Sequence, residues 1–190
     1  MNPYIKSLYA TCAAAIVGGV LALQTCPGNE VVTSWTGGAT GLSLGMTNET
    51  FGYEFTVGSQ PINVTSLGIW VEPGSGLLNY SHEVGLWEPT SPTTGTLLAS
   101  VTIGSGLPPG LSPAGFWYES IGSLDLSANT TYVLGAKYPF FALDIDWGTR
   151  SAAPTAGVGV TLGDARLTFD MTFNFPQAVN ASAVLYAAGG

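Results

Sequence analysis

Charge is scarce in this 190-residue chain, and positive charge scarcest. Charged residues make up 8% of it; Lys6, Lys137, Arg150 and Arg166 stand against twelve acids, for a net charge of −8. Proteins that hold nucleic acid do so largely with lysines and arginines that neutralise phosphates, and four scattered cations form no such stripe. Histidine occurs once, as His82. A zinc centre wants about three protein ligands, and a side-chain nucleophile wants a base steadied by an orienting acid, so both chemistries lack their usual materials. The two cysteines, Cys12 and Cys26, are too few for a disulfide framework. Beyond residue 26 no segment keeps a helical apolar period with caps, which argues against a helical domain.

Apolar residues, by contrast, reach 46%, with eight Phe, eight Tyr and five Trp among 26 Gly and 12 Pro. That is not a disordered composition. One domain of this length buries roughly two-thirds of its unfolded surface and needs no metal or disulfide to hold a core. The N-terminus reads differently from the rest. In "MNPYIKSLYATCAAAIVGGVLALQTC" a single cation, Lys6, precedes the apolar run Leu8 to Leu23, the pattern of a secretory signal peptide. The run, about 16 residues, falls short of the roughly 20 that span a bilayer. Cleavage after Ala22 puts Val20 and Ala22 at the positions that want small residues. A retained anchor and a lipid-modified Cys26 are the competing readings; "LQTC" lacks the small residue wanted before such a cysteine. Removal of the signal takes Cys12 away and leaves Cys26 alone. The expected organisation is a signal-like apolar helix over 1–22, an extension with a first strand over 23–48, and the main domain over 49–190. The mature chain is expected outside the cell, with no membrane span.

Strand signals recur along the mature chain between Gly, Pro, Asn and Ser clusters. "ETFGYEFTV" (49–57) sets Phe51, Tyr53, Phe55 and Val57 on one face. "INVTSLGIWVE" (62–72) places Leu67, Ile69 and Val71 together with Trp70 opposite, and "EVGLWE" (83–88) puts Trp87 opposite Val84 and Leu86. "TLLASVTI" (96–103), "GFWYESI" (115–121) and "TTYVLGAKY" (130–138) read alike. Weaker strands are expected at 31–36, 156–162, 166–173 and 183–187. About eight to ten strands, at roughly 8–12-residue spacing, suit a sandwich or barrel. The expected fold is all-β, an antiparallel β-sandwich of jelly-roll type. Irregular stretches are expected at 73–81, 88–95, 104–114 and 139–154, and loops of such length are often functional.

An ordered series of motifs adds a resemblance. "FGYEFTVGSQPINVTSLGIW", "SHEVGLWEPTSPTTGTLLASVTI" and "GFWYESI…LDLSANTTYVLGA", closed by "FNFP" (173–176) and "LYAAGG" (185–190), are similar to the secreted microbial PEP-CTERM-associated domains of unknown function. The similarity covers about residues 49 to 190, and it rests on the order of the motifs rather than on any one of them. It implies an exported β-sandwich domain of the kind found in carbohydrate-associated exoproteins, and it carries over no catalytic residue. Two features depart from it: the family's C-terminal sorting tail does not follow Gly190, and its last strand commonly runs on past Gly189 and Gly190. The second departure leads to the expectation of a final strand that is incomplete or supplied by a neighbour.

Three candidate sites follow. His82 is read as a hydrogen-bonding framework residue where a loop enters a strand, because neighbouring Glu83 points to the opposite face of an extended chain. Asp144 and Asp146 of "DIDW" share one side of an extended segment, and calcium is the cation that such oxygen pairs, with backbone carbonyls, would hold. No other cofactor is expected, and a paired-carboxylate glycosidase would need two acids facing across a cleft. Trp70, Trp87 and Trp147 are candidates for a carbohydrate platform; Trp70 and Trp87 lie opposite the main apolar set of their strands, which points them outward. Large aromatics fill cores as readily. Asn48, Asn63, Asn79, Asn129 and Asn180 open N-glycosylation sequons. The leading expectation is a non-enzymatic cell-surface or matrix domain. The alternatives are a carbohydrate-binding module and a structural subunit of a filament or layer built by strand donation, so the partners would be extracellular polysaccharide or copies of the chain.

Overall fold

The computed structural model describes residues 30–36, 49–71, 76–112, 115–138, 153–178 and 188–189. These residues form strands and connections, with no helix among them. The strands are β1 (Val32–Thr36), β2 (Glu49–Val57), β3 (Ile62–Trp70), β4 (His82–Ser91), β5 (Thr94–Ile103), β6 (Phe116–Leu126), β7 (Thr131–Tyr138), β8 (Ala153–Ala156), β9 (Val160–Phe169), β10 (Gln177–Ala178) and β11 (Ala188–Gly189). All pairings are antiparallel. A six-stranded sheet runs β10-β9-β2-β7-β4-β5, a three-stranded one runs β11-β3-β6, and β1 pairs with β8. The expected N-terminal helix and signal segment lie outside the described residues.

β2 shows why the sequence alternates as it does. Phe51, Tyr53, Phe55 and Val57 project from one face, and all are buried. Phe51 stands opposite Ala136 and Phe55 opposite Tyr132, so two strands aim their apolar sides into one layer. The rings of Phe51 and Tyr138 meet edge-on at 5.4 Å, and those of Phe55 and Tyr132 lie 5.8 Å apart. Tyr132 keeps its polar end satisfied by accepting a 2.9 Å hydrogen bond from the Ser127 amide. Burying each such side chain stabilises the fold by about 1.5–3 kcal/mol. The same core takes in Leu67, Ile69 and Trp70 of β3 and Phe116 and Trp117 of β6, so the two larger sheets share it. Val31 and Val32 join it too, which ties the segment around β1 into the domain.

Several expectations need correction. The stretch 88–95 is no loop: β4 continues to Ser91 and β5 begins at Thr94, around a tight turn at Pro92 and Thr93. Pro89 sits inside β4 opposite Gly95, tolerated because the register shifts between Pro89 and Ser91. The strand expected over 156–162 is instead split by a turn at Val158 and Gly159 between β8 and β9. Of 166–173 only the portion to Phe169 is strand, and the chain then leaves the ladder. The weak strand at 183–187 lies outside the described residues.

Candidate functional site

Two groups of polar residues sit where chemistry could gather: a row on the inner face of the six-stranded sheet and a cluster on its outer face. The inner row begins with Glu49, which shares the inward face of β2 with Phe51 and stands opposite Tyr138 of β7. Tyr138 in turn meets His82, the first residue of β4, with ring centroids 4.9 Å apart. All three are buried, His82 to 1% exposure. Burial pushes the Glu49 carboxyl from its ordinary 4.5 up to about 7, because a buried carboxylate loses its hydration. His82 Nδ1 lies 3.0 Å from the Lys137 carbonyl, which can only accept, so Nδ1 carries the proton and donates. The imidazole thus fastens the start of β4 to the end of β7. This is the framework position expected for it.

A half-buried pair of ionisable groups lies on β6 and the segment before β1. The Tyr118 phenol is pushed far above its ordinary value, by burial first and then by the neighbouring Glu30 carboxylate. Tyr53 is driven the same way, by burial and then by Tyr118.

The outer face is built around glycines. Gly52, Gly85 and Gly135 stand side by side on β2, β4 and β7, opposite one another in register, and Arg166 of β9 continues the row. After β9 the chain doubles back across this trench. A Cβ on Gly85 would come within 2.6 Å of Phe173, one on Gly95 within 2.5 Å of Phe175, and one on Gly135 within 3.0 Å of Pro176. Gly85, Gly95 and Gly135 are therefore the seats of "FNFP", whereas a Cβ on Gly52 would meet the Leu134 carbonyl of the neighbouring strand. Trp87 and Val133 complete the small cluster, with Trp87 5.0 Å from the Phe173 ring and 6.3 Å from that of Phe175.

Polar contacts pin this strap at both ends. At its start the Asp170 carboxylate accepts from the Thr172 amide at 3.1 Å, the Thr172 hydroxyl at 3.0 Å and Asn174 Nδ2 at 2.6 Å, and these bonds hold its pKa below the ordinary value. Lys137 Nζ donates to the Met171 carbonyl. Near its end Arg166 is ion-paired with Glu54, donates to the Pro92 carbonyl at 2.9 Å and lies 5.5 Å from the Phe175 ring centroid. Burial lowers the Arg166 pKa, and Glu54 compensates the charge.

The sequence-based sites fare differently from one another. Trp70 is 5% exposed and Trp87 3%, so the expectation that these two rings are exposed is overturned, although Trp87 does lie on the outer face of its sheet. Trp70 is packed into the main core, and Trp87 is covered on the outer side of β4 by Phe173 and Phe175. A covered ring offers no face for a sugar to stack on. Trp147, Asp144, Asp146, Asn48 and Asn180 lie outside the described residues. Asn79 and Asn129 are exposed, whereas Asn63 spends its amide on Ser123 at 2.7 Å and Asp125 at 2.6 Å across β3 and β6. Asn129 also has φ 56 in the turn before β7, a conformation that asparagine tolerates better than most residues. Among the described residues no three His, Cys, Asp or Glu side chains are grouped as a metal site would need. Sequence reading missed Glu49 and Arg166; the signal available for Arg166 was a cation within a strand of a chain that has only four.

Comparison with family models, with curated proteins and with solved structures finds no match for this chain.

Proposed function

We propose that the chain is an exported, non-enzymatic cell-surface or extracellular-matrix domain, related to the PEP-CTERM-associated domains it resembles. Its two larger sheets are read as the layers of a β-sandwich. Consecutive strands β2, β3 and β4, and again β5, β6 and β7, alternate between these sheets, which supports the jelly-roll type. The observation that carries the functional reading is the position of His82: the chain's one imidazole is buried and committed to a backbone carbonyl between two strands. A general base must reach a substrate proton, and this one faces the core. Export is supported by the signal-like first 22 residues. Of the two extracellular partner classes, copies of the chain are favoured over polysaccharide, because burial removes Trp70 and Trp87 as stacking surfaces.

The test is incubation of the purified mature chain with a panel of polysaccharides and esters. No turnover above buffer is expected, and His82→Ala should lower thermal stability. Turnover at enzymatic rates that His82→Ala abolishes without unfolding the chain would refute the reading.

A further inference from the structure

The two larger sheets end in four edges, and they are not alike. β10 and β11 are two residues long and offer little to an incoming strand. β6 is long but guarded. Glu119 and Asp125 lie along it, and Ile121 to Ser123 loop out against Thr65 alone, with Gly122 at φ 85. Charges and bulges are the usual means of keeping an edge from pairing with other chains. β5 has ten residues, "TGTLLASVTI", with no charge and no proline. Its pairing with β4 shifts register twice, at the extra residue Leu98 and between Pro89 and Ser91 of β4, and Ala99 to Ile103 pair regularly with Leu86 to His82. Among the described residues β5 pairs with β4 only; β6 runs close by without joining its ladder. Thr94, Thr96, Leu97, Ser100 and Thr102 are exposed, Leu97 by 47%.

The geometry points to β5 as a self-association edge, on which β5 of a second copy of this chain adds antiparallel about a two-fold axis at Val101. The segment Ala99–Ile103 matches itself under that operation. Ser100 falls opposite Thr102 of the second copy, and Thr102 opposite Ser100, giving hydroxyl pairs on the outer face. Val101 faces its own counterpart, and Ala99 and Ile103 face each other on the inner side. Directly opposed residues of an antiparallel pair share a face, so the register keeps outer side with outer and inner with inner. Charge points the same way. Copies carrying −8 repel one another, and an uncharged edge lets them meet with no carboxylate opposite another on the joining strands. Pairing of β5 with β6 of the next copy would propagate a filament, but the carboxylates and bulge of β6 oppose it. The association therefore closes as a dimer. It does not depend on whether the chain is exported.

The test uses the full chain. Mass by sedimentation, with amide exchange followed strand by strand, should show a dimer whose β5 amides, unlike those of β6, gain protection as concentration rises. Leu97→Lys with Ser100→Lys alters two exposed positions and should weaken dimerisation about 100-fold, since the ammonium groups introduced at position 100 of the two copies lie diagonally across the two-fold axis on one face. Ser123→Lys on β6 should leave it unchanged. A chain that stays monomeric at millimolar concentration would overturn the proposal. So would association that survives the β5 variant, as attraction through the apolar N-terminus would, or that is lost equally in the β6 variant.

Discussion

The two faces of the six-stranded sheet solve the same problem with opposite means. The inner face, along Phe51, Tyr53 and Phe55, fills its space with large side chains that meet those of the second sheet. Across β2, β7 and β4 the outer face omits side chains along one row, Gly52, Gly135 and Gly85, and a strap from the same chain lays Phe173 and Pro176 there and Phe175 on Gly95 of β5. One face is covered by a layer, the other by a single crossing segment. Burial on the first is shared among many neighbours, whereas on the second it hangs on a few rings and the ion pair of Arg166 with Glu54. The inner face should accordingly be the costlier one to damage.

Substitution gives the widest separation. Phe55→Ala should destabilise the chain by about 3–5 kcal/mol in chemical denaturation, as a large cavity in a closed core does. Next in size comes the pH response of Glu49 at the end of the inner face. Its pKa is about 7 folded against 4.5 in the open chain, so between those values the folded state holds a proton that the unfolded state has released. The stabilisation is complete below pH 4.5 and fades as pH rises through 7, a change of about 3 kcal/mol. Denaturation midpoints across pH 4 to 8 read this, and Glu49→Gln should flatten the slope. On the outer face, Phe173→Ala should cost about 1.5 kcal/mol, a partly exposed ring resting on Gly85. Proteolysis should then cut the strap before the sheet unfolds. A loss matching that of Phe55→Ala would erase the contrast between the faces. Smallest is Asn129→Ala, about 1 kcal/mol from a left-handed backbone that alanine resists, while Asn129→Gly should be near neutral. It touches neither face and calibrates the rest.

The strands were legible where one force dominated. β2 runs from Glu49 to Val57, the bounds that alternation alone suggests, because its inner residues have a single layer to enter. The second covering was not legible. Trp70 and Trp87 look outward when each strand is given one wet face, yet Trp70 joins the main core and Trp87 is covered by the strap. The glycines were the missed clue: Gly52, Gly85 and Gly135 each interrupt an alternating strand, and glycine within a strand marks the close approach of something else. Only register shows that the three line up. Pro89 misled in the other direction, since a proline inside a long strand is expected at a break and here sits beside a register shift. His82 was read correctly as framework, but its partners, Tyr138 and the Lys137 carbonyl, come from a strand 55 residues away that no local pattern connects to it.

The central proposal is that the chain is exported and that its side chains serve its own packing. Intact mass of the chain recovered from producing cells and from their surroundings tests it most directly. The account predicts an extracellular species beginning at Leu23, with the first 22 residues gone. A chain of full mass retained inside the cell would contradict it.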